Sequence, residues 1–249
     1  METIYSQTPE ELGKKAAQHT AQLLRQYIAQ NGSARLLLST GASQLTTINA
    51  LLEESVDWSK VEMFHLDEYI DLPQDHPASF IKYLQERFVD KVPLDKVHFV
   101  DTSGDVTAMI ADLTQEIRKS PIDVALIGIG ENAHIAFNDP PADFDSDEAF
   151  IVVTLAESCR RQQLGEGWFP TLEDVPTQAV TITARQILKS RHILSAVPYK
   201  VKAQAIYDTL MAPEITNMIP STILRNHDDV TIYVDKDSAS MLDDSFKKA

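Results

Sequence analysis

The sequence predicts a single α/β domain built on a Rossmann-like, mainly parallel sheet with helices on both faces. Short, continuously apolar stretches alternate with amphipathic helical patterns, which is how strands buried on both faces read. Small and polar turns follow those stretches, and 249 residues with 43% apolar composition can supply one sizeable core. No internal repeat, low-complexity tract or Gly/Ser linker divides the chain, so residues 1–249 are read as one domain.

The elements follow in order. Thr8-Pro9-Glu10-Glu11 sets a capping Thr before a first-turn Pro, with Glu three residues after the cap. Leu12, Ala16, Leu23 and Ile28 then recur at roughly helical spacing until Asn31-Gly32 stops the run. Residues 34–39 (ARLLLS) form a strand, and the turn Thr40-Gly41-Ala42-Ser43 leads into a helix that ends near Glu54. The same order recurs in a strand over 61–66 (VEMFHL), a helix over 79–89, a strand over 97–100 and a helix over 105–119. A strand over 123–127 (DVALI) runs into Gly128-Ile129-Gly130. Beyond it lie AFIVVTL, QAVTITA, a helix near 184–188, HILSAV, a helix over 199–210 and the closing strand VTIYV. Residues 140–148 and 165–176 are expected to be long loops. Crossovers should be right-handed, with the site beyond the carboxyl ends of the strands.

Composition excludes several functions. Twenty-two Lys and Arg against 37 Asp and Glu give a net charge of −15, which disfavours nucleic acid or an anionic membrane as a partner. A small anionic substrate is still admissible where a few basic groups concentrate. The single cysteine, Cys159, forms neither an internal disulfide nor a cysteine metal cluster. The opening METIYSQTPEELGKK has no apolar h-region, and no run of about 18 apolar residues occurs, so a cytoplasmic location is expected.

Three places concentrate chemistry. Glycine is scarce, 8 residues in 249, yet Gly41, Gly128 and Gly130 all directly follow predicted strands, where a backbone can approach a ligand. The turn Thr40-Gly41-Ala42-Ser43 offers backbone N–H groups and hydroxyls to an anion at a helix start, although it is neither a Walker loop nor a GxGxxG fingerprint. An ordinary strand-to-helix turn would read the same way. In VEMFHLDEYIDLP, Asp67 and Glu68 fall at a strand's carboxyl end, where a partly desolvated carboxylate can act as general base; adjacent acids more often cap a following segment or face water. In DVALIGIGENAHIAFNDPP, His134 lies in an apolar frame between Asn132 and Asp139, which suits a proton shuttle with a fixed tautomer. No second His or Cys stands at metal-ligand spacing from it, and the other six histidines read as structural or surface groups. Lys200, Arg160 and Arg161 sit where loops meet the expected site edge and are candidate anion ligands; taken alone, each is more often a solvated charge.

Together STGAS, FHLDEYIDLPQDHPASF, GIGENAHIAFNDP, VPYKVKA and IPSTIL resemble the glucosamine-6-phosphate deaminase/isomerase family over about residues 34–242. The related 6-phosphogluconolactonases share a Gly-x-Gly…His loop, but LDEY and Ile135-Ala136-Phe137-Asn138 are similar to the deaminase branch. The resemblance implies isomerisation of a 2-amino-2-deoxy-hexose 6-phosphate, gluco or galacto, to a ketose 6-phosphate with loss of ammonia, and no metal or organic cofactor. It makes Asp67 the base at C2, His134 the ring-opening group, and Asn132 and Asp139 its orienting partners. The Thr40–Ser43 turn and Lys200 would hold the phosphate, with Glu68 and Gly130 lining the substrate site. The chain departs from the pattern at Asp139, where Glu is usual, at Ala133, where Gly is common, and at RRQQLGEGWF, which leaves Arg160 or Arg161 to replace a phosphate-binding arginine. A lactonase, a non-deaminating sugar-phosphate isomerase, a sugar-phosphate-binding regulator without turnover, and either a monomer or a homo-oligomer all stay open.

Overall fold

The computed structural model describes residues 1–165 and 167–247. Its main sheet is parallel throughout and has seven strands: β1 (Glu2–Ser6), β2 (Ala34–Leu38), β3 (Val61–His65), β5 (Lys96–His98), β6 (Val124–Ile127), β9 (His192–Val197) and β10 (Val230–Asp235). They lie in the order β1-β10-β9-β6-β2-β3-β5. Beside this sheet, β4 (Asp67–Tyr69), β7 (Phe150–Thr154) and β8 (Gln178–Ile182) form a three-stranded antiparallel sheet in the order β4-β8-β7. The mainly parallel α/β domain expected from the sequence is therefore present, with a second small sheet that the strand pattern did not separate from the first. The alternation of buried and more open positions along β7 is the local reason: one of its faces is solvated, as antiparallel sheets permit.

Helix α1 (Pro9–Asn31) begins as its sequence dictates. The Thr8 hydroxyl accepts from the Glu11 N–H, and Gly32 closes the helix in the left-handed conformation at φ 80°, donating its N–H to the Ile28 carbonyl. Helices α2 (Leu45–Leu52), α3 (Phe80–Arg87), α4 (Val106–Arg118), α5 (Glu157–Gly165), α6 (Ala184–Ile187) and α7 (Ala203–Met211) complete the layers. Of these, α5 occupies a stretch the sequence reading left without an element; the loop expected over 165–176 includes position 166, which lies outside the described residues. Strands β1 and β4 were likewise missed, since each is short and is fixed by long-range pairing more than by local pattern.

Apolar clusters pack on both faces of the main sheet. One contains Leu37, Phe64, Ala125 and Ile193, and the other contains Leu36, Leu38, Met63 and Leu126, the alternation that a strand buried on both sides requires. Helix α1 crosses close to α2, and Gly13 makes this possible. A Cβ at that position would stand 2.6 Å from the Thr46 carbonyl carbon and 2.8 Å from the Thr47 nitrogen. Gly→Ala inside an exposed helix normally stabilises by about 1 kcal/mol. Here Gly13→Ala should instead destabilise by about 1–3 kcal/mol, as overpacking against backbone does, and a urea titration at constant m-value measures it.

Strand order fixes where a ligand can bind. From β2 the chain proceeds outward through β3 to β5, whereas from β6 it proceeds the other way through β9 to β10. The reversal lies between neighbouring β2 and β6, and the crevice beyond the carboxyl ends of strands at such a switch point is the usual ligand site of open α/β sheets.

Candidate active site

A cleft of about 620 Å³ opens at that place. The turn Thr40-Gly41-Ala42-Ser43 forms one wall as the chain leaves β2, and Gly128, Ile129 and Gly130 form the floor as it leaves β6. Two side chains brace the turn. Buried Gln44 donates from Nε2 to the Ala196 carbonyl of β9 (3.0 Å) and to Ser43 Oγ (3.2 Å). The Tyr83 hydroxyl donates to the Gly41 carbonyl (2.9 Å). A Cβ at Gly128 would sit 3.1 Å from Gln44 Nε2, so a glycine there leaves room for the tie between turn and sheet.

Asp67 and Glu68, adjacent in sequence, part company in space. Asp67 lines the cleft with only 7% of its surface exposed. Burial, reinforced by the neighbouring Glu68 charge, pushes its carboxyl up to about 8. Glu68 instead turns to the start of α3. Its Oε2 accepts from the Ser79 hydroxyl and the Ile81 N–H, both at 2.8 Å, and its Oε1 accepts from the Tyr69 N–H at 2.9 Å. Burial nevertheless carries this carboxyl above its usual range. Glu68 is not among the residues that line the cleft and instead caps α3, whose first N–H groups need an acceptor inside the protein.

The loop after β6 carries His134. Its Nδ1 lies 3.1 Å from Asp139 Oδ1, and that same oxygen accepts from Asn132 Nδ2 at 2.9 Å. Asn132 Oδ1 accepts the His134 N–H at 3.2 Å. Burial alone would lift the Asp139 carboxyl, but His134 and Asn132 hold it below its usual range. A carboxylate 3.1 Å behind Nδ1 can orient the imidazole toward the cleft. Asn132 and Asp139 stand behind the imidazole, while His134 itself lines the cleft. Gly130 packs directly against the ring: a Cβ there would lie 2.2 Å from His134 Nε2. Ala133 takes φ 64°, a left-handed conformation that favours glycine, so its methyl group carries backbone strain next to the histidine.

The small sheet positions both groups. Asp67 pairs with Thr181 in the β4–β8 ladder, and Thr181 Oγ1 accepts the Phe137 N–H at 3.0 Å. Asn138 Nδ2 donates to the Ile135 carbonyl (2.8 Å) and the Ile182 carbonyl (2.9 Å). Tyr69, Phe80, Phe137 and Phe169 pack ring against ring beneath them, with Tyr69 centroids 5.1, 5.3 and 6.0 Å from the other three. The carboxylate and the histidine loop are therefore held by one rigid unit.

The basic groups correct the sequence reading. Lys200 is exposed and donates to Ser240 Oγ at 2.7 Å, outside the cleft lining. The lysine of the cleft is Lys202, 8% exposed, two residues further on. The offset arises at Tyr199, whose φ of 81° and ψ of 148° turn the chain before the 3₁₀ turn Lys200–Lys202. Arg160 is consumed by the carbonyls of Leu172 and Val175, which its guanidinium ties together. Arg161 lines the cleft rim, largely exposed and paired with Glu157. Sequence reasoning missed Lys202, Tyr199, Gln44 and Glu131 as cleft-lining or supporting residues. Only Lys202 had a visible signal, as the second lysine of YKVKA. Among the described residues, the three-donor cluster close enough to hold a metal, Glu62-His98-Glu116, stands away from this cleft, where Arg35 and His98 already satisfy Glu62 at 2.7 and 2.8 Å.

Residues 7–233 match the family of glucosamine-6-phosphate isomerases/6-phosphogluconolactonases. The chain belongs to this family. A glucosamine-6-phosphate deaminase of Shouchella clausii is 35% identical over 97% of both chains, and one of Exiguobacterium sibiricum is 35% identical over 96% of this chain and 93% of its own. The solved structure of a monomeric glucosamine-6-phosphate deaminase superposes with a TM-score of 0.88 at 31% identity, covering 97% of this chain and all of that one. A 6-phosphogluconolactonase of Thermotoga maritima, at 18% identity and a TM-score of 0.76 over 94% and 98% of the two chains, shares the fold.

Proposed function

We propose that the chain converts glucosamine 6-phosphate to the ketose 6-phosphate and ammonia. The observation that carries the reading is a buried carboxylate, Asp67, raised to about 8, sharing one cleft with a histidine backed by Asp139. A base of that pKa is matched to proton removal near neutral pH. His134 passes a proton between the ring oxygen and the anomeric hydroxyl to open the sugar. Asp67 then takes the C2 proton and returns it to C1 while an amine proton passes to O1, and the C2 imine so formed takes up water and releases ammonia. The Thr40–Ser43 turn and Lys202 hold the phosphate by N–H groups, hydroxyls and one ammonium. Names of the relatives at 35% identity support the gluco epimer. The whole chain acts as one catalytic domain. A single chain assembles the cleft, and the monomeric relative supports a monomer over a homo-oligomer. No helix among the described residues is long and apolar enough to cross a membrane, and a cytoplasmic location goes with the proposal.

Ammonia and ketose phosphate released in equal amounts from glucosamine 6-phosphate are the expected result; ketose without ammonia would mark a simple isomerase. Charge-assisted hydrogen bonds contribute roughly 1.5–3 kcal/mol each, so Lys202→Ala should raise KM by about 10- to 150-fold. Lys200→Ala should leave KM within about twofold, since surface charges contribute little. A larger KM change for Lys200→Ala than for Lys202→Ala would reverse the assignment.

A further inference from the structure

Tyr199 has the conformation of a glycine. Its φ of 81° with ψ of 148° lies in a region that residues with a Cβ adopt only under constraint, at a cost on the order of 1–3 kcal/mol. The constraint is visible. The Tyr199 N–H donates at 3.1 Å to Oδ2 of Asp235, which is buried and whose Oδ1 accepts from the Asp237 and Ser238 N–H groups. On the other side, the Tyr199 carbonyl accepts the Lys202 N–H at 3.0 Å, which begins the turn that carries Lys202 into the cleft. A glycine would satisfy this backbone without strain, so the geometry alone gives no reason for an aromatic residue. Tyr199 lines the cleft together with Thr40, Gly41 and Lys202, and 36% of the residue's surface is exposed. It also stands near Tyr83, the residue that braces the Gly41 carbonyl.

We propose that Tyr199 is a specificity-determining residue whose ring closes the phosphate end of the cleft, so that the site takes a terminal phosphomonoester and rejects a phosphate carrying a further substituent. This rests on the phosphate-site reading above. Tyr199 lines the same cleft as the Thr40–Ser43 turn and Lys202, so on this proposal a second phosphoryl group would meet its ring. One methylene too many in an apolar pocket costs about 10- to 200-fold, and a partly exposed ring should act at the lower end of that range.

Competitive inhibition by inorganic phosphate and by pyrophosphate, measured on wild type, Tyr199→Gly and Tyr199→Phe, tests the proposal. The wild type should prefer phosphate, and Tyr199→Gly should shift the ratio of the two inhibition constants toward pyrophosphate by about tenfold or more. Tyr199→Phe should keep the wild-type ratio, since the ring and not the hydroxyl forms the wall. The melting temperature of Tyr199→Gly should be unchanged or higher, which separates a change of selectivity from a loss of fold. A ratio within twofold of wild type in Tyr199→Gly, or a glycine-like ratio in Tyr199→Phe, would overturn the proposal. If neither anion competes in the wild type, the phosphate-site reading itself fails and the proposal fails with it.

Discussion

Asp67→Asn should lower kcat on glucosamine 6-phosphate by about 10²–10⁴ and, in the same protein, raise the melting temperature at alkaline pH. The first effect follows from chemistry: Asn is nearly isosteric but accepts no proton. The second follows from linkage. Burial and the Glu68 charge raise the Asp67 carboxyl from its ordinary value of 3.8 to about 8, so between these values the folded protein holds a proton that the unfolded chain has released. Stability contributed by protonated Asp67 is complete below the lower value and is lost as pH rises toward about 8. An uncharged amide does not suffer that loss. The stability advantage of Asp67→Asn should therefore grow with pH across this window and level off above it. For the wild type, kcat/KM should rise with pH through about 8 as the base form appears. A variant that keeps half the wild-type kcat, or whose melting temperature tracks the wild type at every pH, would remove this role from Asp67.

Gly130→Ala should be nearly as damaging, although it deletes no functional group. The added methyl carbon would lie 2.2 Å from His134 Nε2 and within 2.5 Å of two further ring atoms, so the imidazole must leave its place. Misplacing a catalytic group by about 1 Å costs on the order of 10²-fold in rate. The loss should fall on kcat, with KM changed little, because the turn and lysine proposed to hold the phosphate, Thr40–Ser43 and Lys202, are separate from this loop. The ring borders the cleft and can swing into it, so the fold should survive with a stability loss of about 1–3 kcal/mol. Nuclear magnetic resonance of the His134 ring protons would report the displacement, and an unmoved ring with intact turnover would contradict the packing argument.

What was legible in the sequence is what local pattern controls. The cap at Thr8, the glycine stop at Gly32 and the buried strands of the main sheet could be placed because spacing and punctuation determine them. Asp67 and His134 could be singled out because both follow predicted strands, where an α/β sheet puts its site. The separation of Asp67 from Glu68 was not legible, since it depends on α3 arriving with its N-terminus at Glu68. That Lys202 and not Lys200 reaches the cleft was not legible either, because counting along a helix presumes ordinary backbone, and Tyr199 breaks that presumption immediately before Lys200. Arg160 read as a free base for a similar reason: the carbonyls it holds, Leu172 and Val175, are reached only when the chain folds back on itself. Pattern locates elements, and tertiary encounters assign the side chains.

Strand β1 pairs with β10, with Glu2 opposite Thr231 and Ser6 opposite Asp235. On a translating ribosome this makes residues 2–6 wait for residues 231–235. At about 5–20 residues per second, roughly 10–45 s pass between the synthesis of the two partners. During that interval residues 2–6 have no edge to join, while the first helix and the next strands can already pack. Completion of the sheet thus depends on a pairing between distant parts of the chain, of the long-range kind that folds slowly. A bulky domain fused ahead of residue 2 would be carried to the same edge as the final strand. Its burden would fall on yield during expression, before any substrate is met.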